Sequence, residues 1–492
     1  MKKKIVLFIS KYSRYLLLLI ALGYLLIYLF IALLRISYPF ELEWMEGGSL
    51  EQVQRILSGK NLYVAPSLRF IPFIYTPFYF YLSSLFAYLL GINFFSLRLL
   101  SFLASLASFY LIYLFVKKET NNRFFGFVAL GFFLATFRIS GAWFDLARVD
   151  SLFLSLLLLT FYFIRFSDST ASYILAGFSL FLSFFTKQIA LLIFLPMIIY
   201  TFWYNRYRFY CLWGTILLLI GCSTIVFNHF SDGWYNYYVY SLPAQHVWVS
   251  NLWAKFWTED LLFKFSIPTL MALFYLLGQV ISLDKKKSFF YFFMAAGMLG
   301  GSWISRLHSG GYYNVLFPAY ALISILSGLF LAKTFQIINQ RQMAKISLYL
   351  LCIIQFILLR YPVKNEIPTK KDRLAGENLV AEISQLKGDL WIFHHNYLTQ
   401  AAKNTSHAHR MAISDVLKGN DGRIKETLLN EWKNIIQEKK YSTIIIDLYE
   451  DWPFKTELEY YYKRKRVIFA DTKVFWTKTG WSTRPQWIYE RK

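Results

Sequence analysis

Charge is scarce along most of this chain: of 492 residues only 16% are Asp, Glu, Lys or Arg, against a norm near a quarter for soluble domains. Cysteine is scarcer still. Cys211, Cys222 and Cys352 all fall inside apolar runs, which excludes both a disulfide framework and a thiolate metal site. No internal repeat and no low-complexity segment is present, which argues against transporters built from inverted repeats. The N-terminal MKKKIVLF has the charge order of a secretory leader. It lacks a small-residue cleavage site and runs on too far, so an uncleaved first membrane helix is expected.

What the chain has is apolar length. It is 57% hydrophobic and 20% aromatic, and runs of about 17 to 25 residues recur until about residue 360. Spans are expected near 16–36, 75–92, 96–116, 123–141, 150–166, 172–187, 188–204, 209–228, 263–283, 288–304, 312–333 and 346–360. The net charge of +23 comes from short clusters between these runs, a pattern of cytoplasmic loops rather than of nucleic-acid binding. If all twelve runs cross, Lys117, Lys118, Arg123, Arg206, Arg208, Lys285 to Lys287 and the Arg341 to Lys345 region fall outside. If residues 75–92 lie along the outer interface instead, every cluster becomes cytoplasmic.

The expected fold is therefore an all-α polytopic membrane protein of about eleven transmembrane helices. Its membrane domain spans residues 1–360, with outer loops at 37–95 and 229–262. A small soluble C-terminal α/β domain at 361–492 lies on the outer side. In that tail DLWIF (389–393), STIIIDL (442–448) and VIFA (467–470) read as strands and Arg423 to Lys440 as a helix. Nothing in the tail reads as a catalytic motif.

The outer loops collect ionisable groups. Glu41, Glu43 and Glu46 follow the first span and precede an amphipathic stretch from Ser49 to Leu57. Asp145, Arg148 and Asp150 stand at the next outer junction, Asp150 at the mouth of a nearly apolar helix. A carboxylate there needs a partner or serves as a helix N-cap. Lys187 sits in a turn between two apolar helices, where snorkelling is the plain alternative. Arg306, His308 and Asn314 surround a Gly pair, and two cations beside a flexible backbone suit a phosphate. Trp234, Tyr237, Trp248 and Trp253 read as an interfacial belt or a cover for a sugar. Carboxylates that take an acceptor proton, with cations that steady a departing phosphate, are what attack on an anomeric carbon requires.

These motifs resemble the GT-C superfamily, in particular the bacterial relatives of protein O-mannosyltransferases and of lipid A aminoarabinose transferases. EGGSLEQVQRILSG is similar to that group's first acidic motif, with Glu46 where an Asp is usual and Gly47 where a second acid is common, leaving Glu46 and Glu43 both open. ARVDSLFLSLLL is similar to the second acidic motif and carries its role onto Asp150. SFFTKQIALL resembles the Thr-Lys-Gly segment and carries Lys187. At IYTPFYFYL, Tyr75 replaces a common Lys, with Arg69 or His308 to substitute. HSGGYYNVLFPAY is similar to a late outer motif.

The resemblance covers roughly residues 15–330. It implies a GT-C fold with an outer soluble cap and a polyprenyl-phosphate sugar donor in a bacterial inner membrane, and the working expectation is an inverting glycosyltransferase with a glycan, lipid or protein acceptor. Glu46 or Glu43 and Asp150 would be catalytic. Lys187, Arg306, His308 and Arg69 would bind the donor phosphate, and Asp145, Arg148, Tyr75 and Asn314 the substrate. A divalent cation on the outer acids is compatible with the group, and His394, His395, His407 and His409 form a weak metal pattern in the tail. The rival readings are a flippase for lipid-linked saccharides and an O-antigen polymerase or ligase.

Overall fold

In hydrocarbon a backbone must satisfy its own hydrogen bonds, so the apolar runs fold as helices. The structure is a computed structural model describing residues 2–403, 405–447 and 455–492. Its early helices are α1 (Lys2–Arg35), α2 (Glu46–Leu57), α3 (Phe78–Leu90), α4 (Phe94–Thr120), α5 (Arg123–Ala135), α6 (Asp150–Phe166), α7 (Thr170–Phe184), α8 (Ile189–Phe194), α9 (Met197–Tyr204) and α10 (Arg206–Phe230). Asn93, Asn122, Ser169 and Asn205 accept backbone N–H bonds as N-caps and so fix where α4, α5, α7 and α10 begin. The run at 188–204 is broken before Met197, where Pro196 interrupts it. Four further long helices follow: Ser266–Val280, Lys285–Leu307, Phe317–Ile338 and Gln342–Leu358.

One end of the bundle gathers the basic clusters. Glu119 at the end of α4 pairs with Arg165 at the end of α6 (2.5 Å) and with Lys287 (2.6 Å). Asp168 pairs with Arg208 (3.1 Å) and Lys286 (3.6 Å). At the other end Arg35, the last residue of α1, meets Asp145, and Arg98 in α4 meets Glu46. The chain thus alternates between the two ends eleven times, counting the broken α8–α9 run once. Length and composition alone qualify four described helices as crossings, or six with two bent pairs; the rest are shorter or more polar.

Helix α3 does not cross. Thr76 before it donates to the Phe184 carbonyl (2.7 Å), and α4 starts back at the same end.

After the last long helix come Lys370–Gln385 and a four-stranded sheet of order β1-β2-β4-β3: β1 (Leu390–Ile392), β2 (Thr443–Asp447), β3 (Tyr462–Val467) and β4 (Pro485–Arg491). β1 and β2 are parallel, and β4 is antiparallel to both β2 and β3. The expected strands at 389–393 and 442–448 and the helix near 423–440 are present; Leu448 lies outside the described residues. VIFA at 467–470 is not a strand beyond Val467. The strand there is the exposed YKRKRV, an edge strand whose charges hide it from hydropathy. The sheet domain rests on the first long loop: Ala408 N–H donates to the Leu68 carbonyl (3.0 Å) and Lys478 N–H to that of Leu42 (2.8 Å).

Candidate functional site

Where the sheet domain covers the helix ends, a cavity of about 760 Å³ opens. Before the sheet domain its walls come from five parts of the chain: Glu43 to Met45 and Phe73 to Tyr75 of the first loop; Trp143 and Arg148; Lys187 to Ile189; Val239, Pro243, Ala244 and Trp248; and the turn around His308 to Asn314. The sheet domain adds Arg410, Met411, Ser414, Asp415, Lys418 and Trp481.

The acids of the first loop take different positions. Glu46 lies behind the wall, fully buried, and its oxygens accept from Arg98 Nη2 (2.6 Å) and Nε (2.9 Å), Leu42 N–H (2.7 Å) and Ala147 N–H (2.8 Å). Burial alone would raise its pKa, but the Arg98 charge and these donors outweigh it and hold the carboxyl below its usual range. Glu43 faces the cavity. One oxygen accepts from Met45 N–H (3.1 Å) and lies 3.6 Å from Arg148 Nη1, while Oε1 is buried with no hydrogen-bond partner. Burial pushes its carboxyl up to about 8 against the pull of Arg148. Glu41 points into the sheet domain, where it pairs with His395.

Asp145 is bound through both oxygens to Arg35 (2.6 and 2.7 Å), away from the cavity. Asp150, the first residue of α6, is also absent from the wall. Its Oδ1 accepts from Lys187 Nζ (2.7 Å) and Asn314 Nδ2 (2.9 Å), and its Oδ2 from Trp143 Nε1 (3.0 Å). Three wall residues from three different elements are thus held by one carboxylate. Arg148 donates to the Tyr75 hydroxyl (3.1 Å), and both line the cavity.

The turn after the Lys285–Leu307 helix departs from expectation. Arg306 is bound to Asp260 (2.9 Å) and to the Gly311 carbonyl (2.6 Å), so it shapes the turn rather than facing the cavity. A Cβ on Gly311 would lie 2.3 Å from the Ser305 carbonyl, so only glycine allows this closure. His308 does line the cavity, but burial lowers its pKa to about 4, and at neutral pH it is an uncharged imidazole accepting from Gly310 N–H (3.1 Å). The expected pair of cations at this turn is therefore not there. Arg69 is exposed and borders a different hollow.

The cavity's other cations come from the sheet domain. In the helix Arg410–Lys418, capped by His409 Nδ1 (3.1 Å from Met411 N), Arg410, Ser414 and Lys418 recur every four residues and so share the cavity face. That spacing in RMAISDVLK was the available signal. Asp415 is pushed up to about 7 by burial.

Three of the four tail histidines are committed elsewhere, and the fourth, His394, lies 3.7 Å from Asp447. His395 bridges Glu41 and Asp447, His407 bonds the Leu390 carbonyl (2.7 Å) and His409 the Trp44 carbonyl (3.0 Å). Among the described residues no three His, Cys, Asp or Glu side chains are arranged to hold a metal ion. Glu43 and Asp415 are the only carboxylates among the described residues of the cavity wall, a donor set that does not fit a resident divalent cation.

Residues 75–231, under half of the chain, match the family model of dolichyl-phosphate-mannose-protein mannosyltransferase. No curated protein matches in sequence. The structure is similar to ArnT from Cupriavidus metallidurans bound to undecaprenyl phosphate, with TM-score 0.61 and 10% identity over 95% of this chain and 97% of that one. Apo ArnT from the same organism gives 0.59, with 10% identity over 96% and 97%. The archaeal oligosaccharyltransferase AglB from Archaeoglobus fulgidus, in complex with an inhibitory peptide and a dolichol-phosphate, gives 0.50, with 12% identity over 92% and 73%. The resemblance read from the motifs extends to the whole architecture: this chain is a multi-pass membrane protein with the GT-C glycosyltransferase fold.

Proposed function

We propose that the protein transfers a sugar from a polyprenyl-phosphate donor to a glycan, lipid or protein acceptor, at the extracytoplasmic face of a bacterial inner membrane. The observation that carries this reading is the pairing, in one cavity, of a buried carboxylate having a free oxygen (Glu43) with the cations Lys187, Arg148, Arg410 and Lys418. A leaving phosphate needs those cations, and an acceptor hydroxyl or amine needs that carboxylate. The family and fold neighbours support it, since two of the latter hold a polyprenyl-type phosphate. The basic clusters at the opposite end support the assignment of sides.

In this mechanism the acceptor proton passes to Glu43 Oε1 as the acceptor attacks the anomeric carbon and the sugar–phosphate bond breaks. A single displacement inverts the anomeric centre. Lys187, fixed by Asp150, neutralises the departing phosphate together with the sheet-domain cations. Arg148 orients Glu43 on one side and Tyr75 on the other. Glu46 and Asp150 act by position: Glu46 holds the loop against α4, and Asp150 holds Lys187 and Asn314 in place.

The test is transfer from a panel of radiolabelled polyprenyl-phosphate sugars by the purified protein in lipid, with membrane glycans as acceptor. One donor should be used. Asp150→Asn removes the charge that holds Lys187, so its donor KM is expected to rise at least tenfold with the fold retained. Donor translocation without transfer would point instead to a flippase.

A further inference from the structure

A second hollow of about 430 Å³ lies between the C-terminal half of α2 and the sheet domain. It is bordered by Arg55, Lys60 and Arg69. None of the three lies within salt-bridge distance of a carboxylate among the described residues, and Arg55 meets the Glu51 carboxyl only at longer range. The one acid on its wall, Glu51, is buried, accepts from Ser406 and Asn396, and has its carboxyl pushed up to about 8, so it adds little negative charge at neutral pH. The Arg55 guanidinium carbon lies over the Phe70 ring, 4.1 Å from its centroid, and Nε–H donates to the Asn61 carbonyl (2.6 Å), which fixes the side chain in the hollow.

A third hollow of about 270 Å³ shares Glu51, Gln54, Gln400 and Ser406 with the second and continues from it. Its walls are apolar, among them Phe40, Leu50, Ile92, Phe94 and Leu398. Ile92 is the hinge to the bilayer. It belongs to the turn after α3, whose Leu85, Tyr88, Leu89 and Leu90 are exposed on the non-crossing helix. The two hollows thus make one groove, cationic at one end and apolar at the other, with the apolar end opening beside a lipid-facing helix.

We propose that this groove binds an anionic phospholipid of the surrounding leaflet, its phosphate among Arg55, Lys60 and Arg69 and the start of an acyl chain along Leu50, Ile92 and Leu398. Charge complementarity at one end and continuity with the bilayer at the other select this occupant. The bound lipid tethers α2 to the sheet-domain segment around Gln400 and Ser406, four residues before the cavity residue Arg410. The site is separate from the donor cavity.

The experiment is equilibrium binding of fluorescent phosphatidylglycerol to the full chain in phosphatidylcholine nanodiscs. One saturable site is expected, with phosphatidylcholine a poor competitor. The triple variant Arg55→Ala/Lys60→Ala/Arg69→Ala should bind about a hundredfold more weakly. Ile92→Glu, which leaves the cations in place at an exposed position, should also lose binding while donor binding persists. Equal retention of both lipids, or unchanged binding in both variants, overturns the proposal. Full displacement by inorganic phosphate overturns the lipid assignment in favour of a free-anion site.

Discussion

Glu43, Glu46 and Asp150 share a chemistry, and their surroundings separate them. Glu46 and Asp150 use both oxygens within the protein, whereas Glu43, on the cavity wall, has one oxygen with no hydrogen-bond partner. Sequence alone offered Glu43 and Glu46 equally, because their difference is made by Arg98, which lies 52 positions beyond Glu46 and carries no motif of its own. Asp150 and Lys187 were legible because charge at the mouth of an apolar helix is costly and therefore conspicuous. Arg306 stood out for the same reason, but its partner Asp260, which holds it away from the cavity, did not. Breaking the Arg98–Glu46 pair tests this division of labour. Arg98→Ala leaves a buried carboxylate uncompensated and should cost about 3–5 kcal/mol, seen as a large fall in the detergent melting temperature. A Glu46→Gln/Arg98→Met double variant should recover part of that loss.

Among the elements, the long helices were plain from hydropathy, and their alternation followed from where Lys and Arg fall. What hydropathy does not encode is how tightly two helices approach. Gly297 and Gly301 in the Lys285–Leu307 helix face α8: a Cβ at Gly297 would sit 1.8 Å from the Ile193 carbonyl, and one at Gly301 would sit 2.2 Å from Ile193 Cγ1. The close approach uses small residues as membrane helix interfaces do. Gly297→Ala must push α8 away and is expected to destabilise by about 1–3 kcal/mol in a thermal melt, with lower activity because Lys187 lies two residues before α8. A melt identical to wild type would contradict the packing. In the sheet domain the charged edge strand β3 and the strand β4 were not legible. Their pairing across about twenty residues is a tertiary choice, and β3 buries only its first residue.

For the molecule as a whole, one asymmetry organises the rest: basic clusters gather at one end, and cavity, acids and sheet domain at the other. The placement of the sheet domain as a working wall was not legible, since Arg410 and Lys418 sit in an ordinary amphipathic helix. Sidedness is open to direct labelling. In sealed right-side-out vesicles of a variant lacking the three native cysteines, Lys492→Cys should react with a membrane-impermeant maleimide and Lys118→Cys only after permeabilisation. The reverse pattern would invert the topology and place the cavity in the cytoplasm.

The most direct test of the central claim is the rate of sugar transfer as a function of pH, under saturating donor, for wild type and Glu43→Gln. A base must be ionised to accept a proton, and Glu43 is held up to about 8, so the wild-type rate should rise about tenfold per unit as pH climbs toward 8 and then level off. Glu43→Gln should bind donor normally and transfer at least about a hundredfold more slowly, with that rise gone. A Glu43→Gln enzyme that keeps wild-type turnover and the same pH profile would contradict the account.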